Sequence, residues 1–223
     1  MANYLLIGLY TEGDTDIRFL ESIVRRTYEA VAFDGRGDID IDVCTLNIHK
    51  IGLGFVGQVK KAAKEGLRSS GIRILCIHTD ADSNNDALIF EHKIEPARLA
   101  VSELEDSEGC KVCSFVVPVY MTEAWMLADK ALLKKQIGTE LSDFDLGING
   151  KAEEISQPKA RIENAIRIAR EGLRQRLRHK LSIAELYLPI GQQIPLERLA
   201  ELPSYLKFRD SAVESLRALG LHD

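Results

Sequence analysis

The sequence predicts an α/β fold in which four mainly parallel strands are flanked by helices and followed by a helical C-terminal region. Two observations predict it: short apolar, β-rich runs alternate with helical patterns through the first 135 residues, and this alternation then stops. A repeated strand and helix order implies a parallel sheet with right-handed crossovers. We therefore assign residues 1–137 to the α/β core and residues 138–223 to a helical region that packs on it.

The predicted strands are apolar runs of about strand length. They cover residues 4–10, 40–46, 72–77 and 112–119. The third run, I-R-I-L-C-I, is almost continuously apolar. Such a run is typical of a strand that helices cover on both faces.

Apolar residues at helical spacing predict the elements between and after the strands. The predicted helices cover residues 16–32, 54–70, 91–106, 122–135, 159–180, 195–202 and 204–219. Thr15 is available to cap the first helix, and the second is basic and amphipathic. Residues 138–150 are rich in Gly, Asp and Asn and predict a loop.

Composition excludes several classes of protein. Hydrophobic residues make up 45% of the chain and charged residues 28%, close to the soluble average, so a disordered or fibrous protein is not expected. The net charge of −5 argues against a uniformly basic nucleic-acid coat. The charge is uneven, however, because residues 151–180 carry nine Lys or Arg against four Glu.

Cysteines and apolar segments indicate the compartment. Cys44 and Cys76 lie in strand-like runs and are interpreted as buried thiols, whereas Cys110 and Cys113 form a C-x-x-C that has no second pair to complete a structural zinc site. No apolar stretch is long enough to span a membrane, and the N-terminus lacks the basic region of a signal peptide. We expect a cytoplasmic location.

Acidic residues follow three of the predicted strands. Glu12 follows the first, Asp80 and Asp82 follow the third, and Glu123 follows the fourth. In an open α/β sheet the loops at these strand ends line one crevice, and an extended Asp80-Ala81-Asp82 backbone would point both carboxylates the same way. Converging carboxylates repel one another unless a divalent cation lies between them. The sequence therefore predicts a Mg²⁺ or Mn²⁺ site.

A structural interpretation is open for each of these acids, because Asp and Glu are common in helix caps and loops. We interpret Asp16 and Asp86 in this structural way. His78 is interpreted as a packing residue, with metal ligand or proton shuttle as the alternative. Trp125 is interpreted as a core residue, with base stacking as the alternative.

Two acidic motifs carry a resemblance to a known family. E-G-D-T-D after the first strand and D-A-D after the third resemble the Toprim (topoisomerase and primase) domain. A third segment narrows the resemblance to small stand-alone Toprim-like proteins related to the nuclease half of the overcoming-lysogenization-defect family. Its sequence is V-P-V-Y-M-T-E-A-W-M-L-A-D. The resemblance covers about residues 3–130.

The resemblance implies metal-dependent cutting, nicking or joining of nucleic acid in phage defence or repair. Glu12 would be a metal ligand or proton-handling residue, Asp80 and Asp82 metal ligands, and Glu123 an additional ligand. Full-length nucleases of that family carry a fused ATPase that this sequence does not contain, which leaves two interpretations open: a separate ATPase partner or a purely accessory role. Lys151 and Lys159 are both candidates for the lysine that accompanies the acids, and a homodimer is compatible with the assignment.

A basic stripe follows the predicted helix over residues 159–180. It consists of Lys159, Arg167, Arg170, Arg174 and Arg178. Cations along one helical face can follow a phosphate backbone, but a surface helix without a ligand, or one that binds an acidic protein, would have the same pattern. The basic pairs at 49–50 and 60–61 leave the same interpretations open.

The preferred function is a Mg²⁺-dependent DNA or RNA endonuclease. A non-catalytic Toprim-like module that binds nucleic acid or an ATPase is the first alternative. An aspartate-based phosphatase with Asp80 as nucleophile and Asp82 as acid is the second, although that chemistry usually places its D-x-D after the first strand. A receiver domain that accepts a phosphoryl group on an aspartate is a related alternative with less support.

Overall fold

The computed structural model describes residues 3–35, 39–171 and 181–223. Its strands are β1 (Asn3–Tyr10), β2 (Ile39–Thr45), β3 (Ile74–His78) and β4 (Cys113–Val116). They form one sheet in the order β2-β1-β3-β4, and every pair is parallel. The predicted α/β class with four parallel strands is confirmed.

Helices lie on both faces of the sheet. They are α1 (Asp14–Asp34), α2 (Phe55–Ser70), α3 (Ala87–Ile89), α4 (Glu95–Ser102), α5 (Glu123–Met126), α6 (Lys130–Ile137), α7 (Pro158–Arg170), α8 (Tyr187–Gln193), α9 (Leu196–Leu199) and α10 (Pro203–Ala218). A π-helical turn, Phe90–Ile94, joins α3 to α4.

The alternation of side chains along β3 builds two core layers. Ile74 and Cys76 pack in the layer that contains α1 and the C-terminal helices, whereas Leu75 and Ile77 pack in the layer that contains α2 and α4. All four are fully buried, as predicted for a strand covered on both faces. Burial of each such aliphatic side chain stabilises the fold by about 1.5–3 kcal/mol.

The C-terminal helices share the core of the sheet. Trp125 is fully buried, donates its indole N–H to the Ser204 hydroxyl at 2.7 Å and packs edge-on against Tyr205 at a centroid distance of 5.5 Å. The core role predicted for Trp125 is confirmed. Phe208 of α10 completes this aromatic cluster.

An arginine of α1 fastens α8 to the core. The Arg26 guanidinium donates to the carbonyl oxygens of Gly191 at 2.7 Å and Ile194 at 2.8 Å. These carbonyls belong to the end of α8, where backbone acceptors lack partners within the helix. Because α8 begins at Tyr187, this anchor also positions a side chain that faces the acidic residues described below.

The predicted helix over 122–135 is wrong in one respect, because it is two helices, α5 and α6. Asp129 interrupts it, since its carboxylate accepts a hydrogen bond from the Leu132 backbone N–H at 2.9 Å and so caps α6.

The first helix is also capped differently from the prediction: its N-cap is Gly13, not Thr15, and no side chain contributes. The helix predicted over 159–180 is described as α7 up to Arg170, and residues 172–180 lie outside the described residues.

Strand β4 ends three residues earlier than predicted. Beyond Val116 the chain pairs with the loop after β3, where the backbone N–H of Ala81 donates to Pro118 at 3.0 Å and that of Asp82 donates to Tyr120 at 2.8 Å. Pro118 itself has no N–H to donate to a ladder. The segment after β4 therefore stabilises the loop after β3, which carries Asp80 and Asp82.

The four cysteines are free thiols. Burial raises the pKa of Cys110 to about 11 and the pKa values of Cys76 and Cys113 to about 12, so these thiols stay protonated at neutral pH. In the part of the chain that the structure describes, no helix has the length and apolar composition to cross a bilayer.

Candidate functional site

The strand order creates a crevice between β1 and β3. From β1 the chain crosses to β2 on one side and later to β3 on the other, so the order reverses at this pair. In open α/β sheets, ligands bind outside the carboxyl ends of the strands at such a reversal. Glu12 leaves β1 at this point, and Asp80 leaves β3.

Glu12 lies against the loop after β3. The Thr79 hydroxyl donates to Glu12 Oε2 at 2.6 Å, and its oxygen lies 3.4 Å from the Asp80 carbonyl. Lys93 Nζ donates to Glu12 Oε1 at 3.1 Å and to the Thr79 hydroxyl at 3.1 Å. Lys50 Nζ fixes the backbone of the loop that carries Glu12, because it donates to the carbonyl oxygens of Thr11 and Glu12.

Asp80 is the central carboxylate of the crevice. Its Oδ1 accepts a hydrogen bond from the Thr122 backbone N–H at 2.9 Å and lies 3.3 Å from His78 Nε2. The Thr122 hydroxyl lies 3.1 Å from the same ring nitrogen. The segment after β4 thus fixes Asp80, while its side chain remains 29% exposed to the crevice.

Asp82 is exposed beside Asp80, but its backbone is left-handed, with φ of 53°. The extended backbone that we predicted to align Asp80 with Asp82 is therefore wrong. Burial, followed by the negative charges of Asp80 and Glu12, raises the pKa of Asp82, whereas Lys93 lowers it. The D-x-D pair is thus electrostatically coupled through a turn.

Glu123 is buried at the start of α5. The Tyr187 hydroxyl donates to Glu123 Oε1, and Lys159 Nζ lies 4.0 Å from the same oxygen. Burial raises the pKa of Glu123, the Tyr187 hydrogen bond lowers it, and the charge of Asp80 raises it. All four predicted acids therefore surround one end of the β1–β3 pair.

Asp16 also faces this group, although we interpreted it as a structural cap. It is buried in the first turn of α1, where no side-chain capping hydrogen bond is found among the residues that the structure describes. Burial raises the pKa of Asp16, His78 and Lys159 lower it, and Asp80 raises it. The E-x-x-x-D spacing from Glu12 was the available signal, since it places Asp16 in the first turn of the helix that follows β1. Asp86, by contrast, pairs with Lys207 at 2.7 Å, in keeping with a structural role.

His78 is fully buried, as expected for a packing residue, and it also contacts Asp80. Burial lowers the pKa of His78, but the hydrogen bond and charge of Asp80 and the charges of Asp16 and Glu12 outweigh it and hold the pKa above its ordinary value. Among the described residues Nδ1 has no hydrogen-bond partner. His78 therefore supports Asp80 from inside the core.

Two lysines reach the acidic residues. Lys159 was a predicted candidate and lies beside Glu123, whereas Lys151, the other candidate, pairs with Glu154 and is 84% exposed. Lys93 was not predicted. It lies on the π-helical turn Phe90–Ile94, and π-turns are frequent at functional sites. No sequence pattern around residue 93 distinguishes it from a surface lysine.

The basic stripe on α7 is only partly described. Arg167 is exposed and bonds to Asn164 and Glu171 on its own helix. Arg170 is partly exposed one turn further on. Arg174 and Arg178 lie outside the described residues. Nucleic-acid binding by this stripe stays a prediction.

The donor set of the crevice fits a hard dication held mainly by water. In the described ranges, no three His, Cys, Asp or Glu side chains are placed so that they alone could hold a metal ion. Mg²⁺ does not need such a cage, because it usually keeps several waters and binds one or two carboxylates together with phosphate oxygens. Glu12 and Asp80, with Asp82 beside them, supply oxygen donors of this kind. Burial raises the pKa values of three neighbouring acids, Asp16, Asp82 and Glu123, and the negative charge of Asp80 adds to each shift.

Replacing Tyr187 with phenylalanine is expected to raise the pKa of Glu123 further. The phenol donates a hydrogen bond that favours the charged carboxylate, so its loss favours the protonated acid. A pH titration of glutamate side-chain ¹³C signals without metal measures the shift. Tyr205→Phe is the control, since that hydroxyl bonds to Thr27, and it should leave Glu123 unchanged. An unchanged or lower pKa in Tyr187→Phe would contradict the assignment.

Comparison with protein-family models, with curated proteins and with solved structures found no match to this chain. The likeness to Toprim-like proteins therefore rests on the residues of the acidic motifs alone.

Proposed function

We propose that the protein hydrolyses phosphodiester bonds in DNA or RNA with Mg²⁺ or Mn²⁺, as an endonuclease of a phage-defence or repair system. One observation supports this most: the Thr79 hydroxyl joins Glu12 to the Asp80 backbone at the crevice between β1 and β3. The Glu12 carboxylate and the loop that carries Asp80 thereby lie together where open α/β sheets bind ligands.

Charge supports the same conclusion. Burial is the largest cause of the raised pKa values of Asp16, Asp82 and Glu123, and the charge of Asp80 raises each of them further. A group of acids that disfavour one another's ionised forms is stabilised by a bound dication.

Glu12, Asp80 and Asp82 would hold the metal, with Asp16 and Glu123 available to a second ion. When bound, Mg²⁺ supplies a Lewis acid that polarises a phosphoryl oxygen and stabilises the leaving oxygen.

The residues around the carboxylates have separate tasks. Thr122 and His78 fix Asp80 so that its free edge faces the crevice. Lys93 neutralises Glu12 and orients it through Thr79. Lys159, whose side chain is 52% exposed, can place its ammonium group on a substrate phosphate while it stays close to Glu123.

The cellular setting is also part of the proposal. Free thiols support a cytoplasmic location, where thiols stay reduced. The resemblance to nucleases that act with an ATPase adds an ATPase and a homodimeric assembly to the partners that the proposal allows.

The test is a cleavage assay on supercoiled plasmid, single-stranded DNA and RNA with Mg²⁺, Mn²⁺ or EDTA. We expect cutting with either dication and none in EDTA. Metal-independent binding without cutting, unchanged in Asp80→Ala, would support the non-catalytic module instead. A covalent phosphate on Asp80 would support the phosphatase.

A further inference from the structure

A second basic region lies on α2, outside the acidic crevice and the α7 stripe. Four cations, Lys60, Lys61, Lys64 and Arg68, follow one side of this helix, and we call this set the α2 surface. They line an open cavity of about 860 Å³ together with the apolar side chains of Leu53 and Leu67 and the carboxylates of Glu65 and Glu108. The opposite side of α2, with the small residues Val59, Ala62, Ala63 and Gly66, packs on the sheet.

Local ion pairs engage two of the four cations. Lys61 lies 3.7 Å from Glu65 and Lys64 lies 3.2 Å from Glu108. Both pairs are partly exposed to solvent, and such pairs contribute little to stability, so a phosphate can replace the carboxylate at little cost. Within the described part of the chain, Lys60 and Arg68 make no ion pair.

The α2 surface is continuous with the acidic crevice. Lys61 Nζ donates to the carbonyl of His49 at 3.2 Å, and the next residue, Lys50, donates to the carbonyl of Glu12. His49, Lys50 and Glu12 line a neighbouring cavity of about 1000 Å³. At the start of α2, the Phe55 ring lies 5.3 Å from Lys93 Nζ. A nucleic-acid strand that leaves the crevice past Lys50 would therefore contact the α2 cations next.

Length and charge match a phosphate backbone. Residues 60–68 of a helix span about 12 Å, and phosphates along one strand of a duplex advance about 3.4 Å each. The surface thus faces about three to four phosphates. This concentration of cations stands out in a chain whose net charge is −5.

We propose that the α2 surface binds the phosphate backbone of the nucleic-acid strand that leads away from the carboxylate crevice. This inference rests on the proposed function, since it assigns the path of that substrate. The ligand is a nucleic acid of either sugar, recognised by its backbone charge and not by its bases.

The test compares two triple variants of equal charge. The first, Lys60→Gln, Lys64→Gln and Arg68→Gln, removes three cations from the α2 surface. The matched control, Lys135→Gln, Arg198→Gln and Arg209→Gln, removes three exposed cations elsewhere. Binding of a fluorescently labelled oligonucleotide is followed by anisotropy in EDTA between about 50 and 200 mM salt, and cleavage kinetics are measured with Mg²⁺.

For the α2 variant we expect a Kd that rises about 10-fold or more, and a slope of log K against log salt that falls by about two to three, because each lost phosphate contact removes about 0.7–0.9. KM should rise while kcat is retained. The control should stay within about twofold of the wild type.

Two results would overturn the inference and leave the proposed function standing: an α2 variant that binds and cleaves like the control, or a polyglutamate peptide that binds the wild type more tightly than the oligonucleotide at equal charge concentration and loses that affinity in the α2 variant. The second result would indicate a site for acidic protein. A wild type that neither binds nor cuts nucleic acid would instead refute the proposed function, and the inference with it.

Discussion

Replacing Asp80 with asparagine is expected to lower metal-dependent kcat/KM by on the order of 10³-fold, which corresponds to about 4 kcal/mol, while the fold is retained. The substitution removes the charge that the crevice needs to hold a dication. It keeps an Oδ1 acceptor for the Thr122 backbone N–H, so the contact that fixes this side chain can persist. The change therefore separates charge from packing.

Stability in the presence and absence of metal gives a second readout. In EDTA, at a pH above the pKa of His78, Asp80→Asn should melt at or above the wild-type temperature, because the charge of Asp80 adds to burial in raising the pKa values of Asp16, Asp82 and Glu123 and no longer stabilises a protonated His78. A raised folded-state pKa of an acid gives stability that is present at low pH and is lost as pH rises through that pKa. Added Mg²⁺ should stabilise the wild type but not the variant.

Asp86→Asn is the matched control. Asp86 lies on the same loop, is buried, and pairs with Lys207 outside the crevice. Its loss should cost stability but leave cleavage and the Mg²⁺-dependent rise in melting temperature in place. Asp80→Asn with wild-type cleavage would refute the metal site, and equal losses in both variants would indicate damage to the loop.

The approximate positions of the strands could be predicted from burial, although β3 begins at Ile74 and not at residue 72, and β4 ends at Val116 and not at residue 119. β1 and β3 are apolar on both faces, and the acids at their ends follow directly from where the apolar runs stop. Since the strands are parallel, those ends meet at one edge of the sheet. The proximity of Glu12 to the loop of Asp80 thus follows from the sheet topology, which the alternation of strands and helices in the sequence predicts.

Other parts of the site depend on contacts between distant segments, which no local pattern encodes. Lys93 reaches Glu12 from a π-helical turn, and a helical pattern gives no sign of the extra residue in that turn. Asp82 is left-handed because the segment after β4 pairs with its loop. Tyr187 belongs to α8, whose sequence Y-L-P-I-G-Q-Q contains a proline and a glycine and so does not predict a helix.

Replacing Gly191 with alanine is expected to destabilise the protein by about 3 kcal/mol. An added Cβ would lie 2.3 Å from the Phe19 carbonyl oxygen and 2.8 Å from the Phe19 Cα. Both atoms belong to the backbone of α1, which cannot move aside as a flexible side chain could. A typical domain is stable by only about 5–15 kcal/mol, so the loss is a large part of the total.

Gly57→Ala in α2 is the control, because it makes the same chemical change inside a helix. There the new methyl group would meet only the Leu53 side chain, at an ordinary 3.5 Å, so the gain in helix propensity should stabilise the protein by about 0.5–1 kcal/mol. Urea unfolding of both variants measures the two values. Because propensity favours alanine in both helices, the difference between the variants isolates the clash between α1 and α8.

The same clash should be detected at the acidic crevice. Arg26 holds the end of α8 through Gly191, and the start of α8 presents Tyr187 to Glu123. If α8 moves away from α1 to admit the methyl group, Tyr187 moves as well and the pKa of Glu123 rises, as in Tyr187→Phe. A Gly191→Ala protein with both wild-type stability and a wild-type Glu123 titration would show that the α1–α8 contact is looser than described. A loss of stability with an unchanged Glu123 pKa would show that α8 stays in place and the clash is retained. A raised Glu123 pKa with unchanged stability would show that α8 moves to relieve the clash.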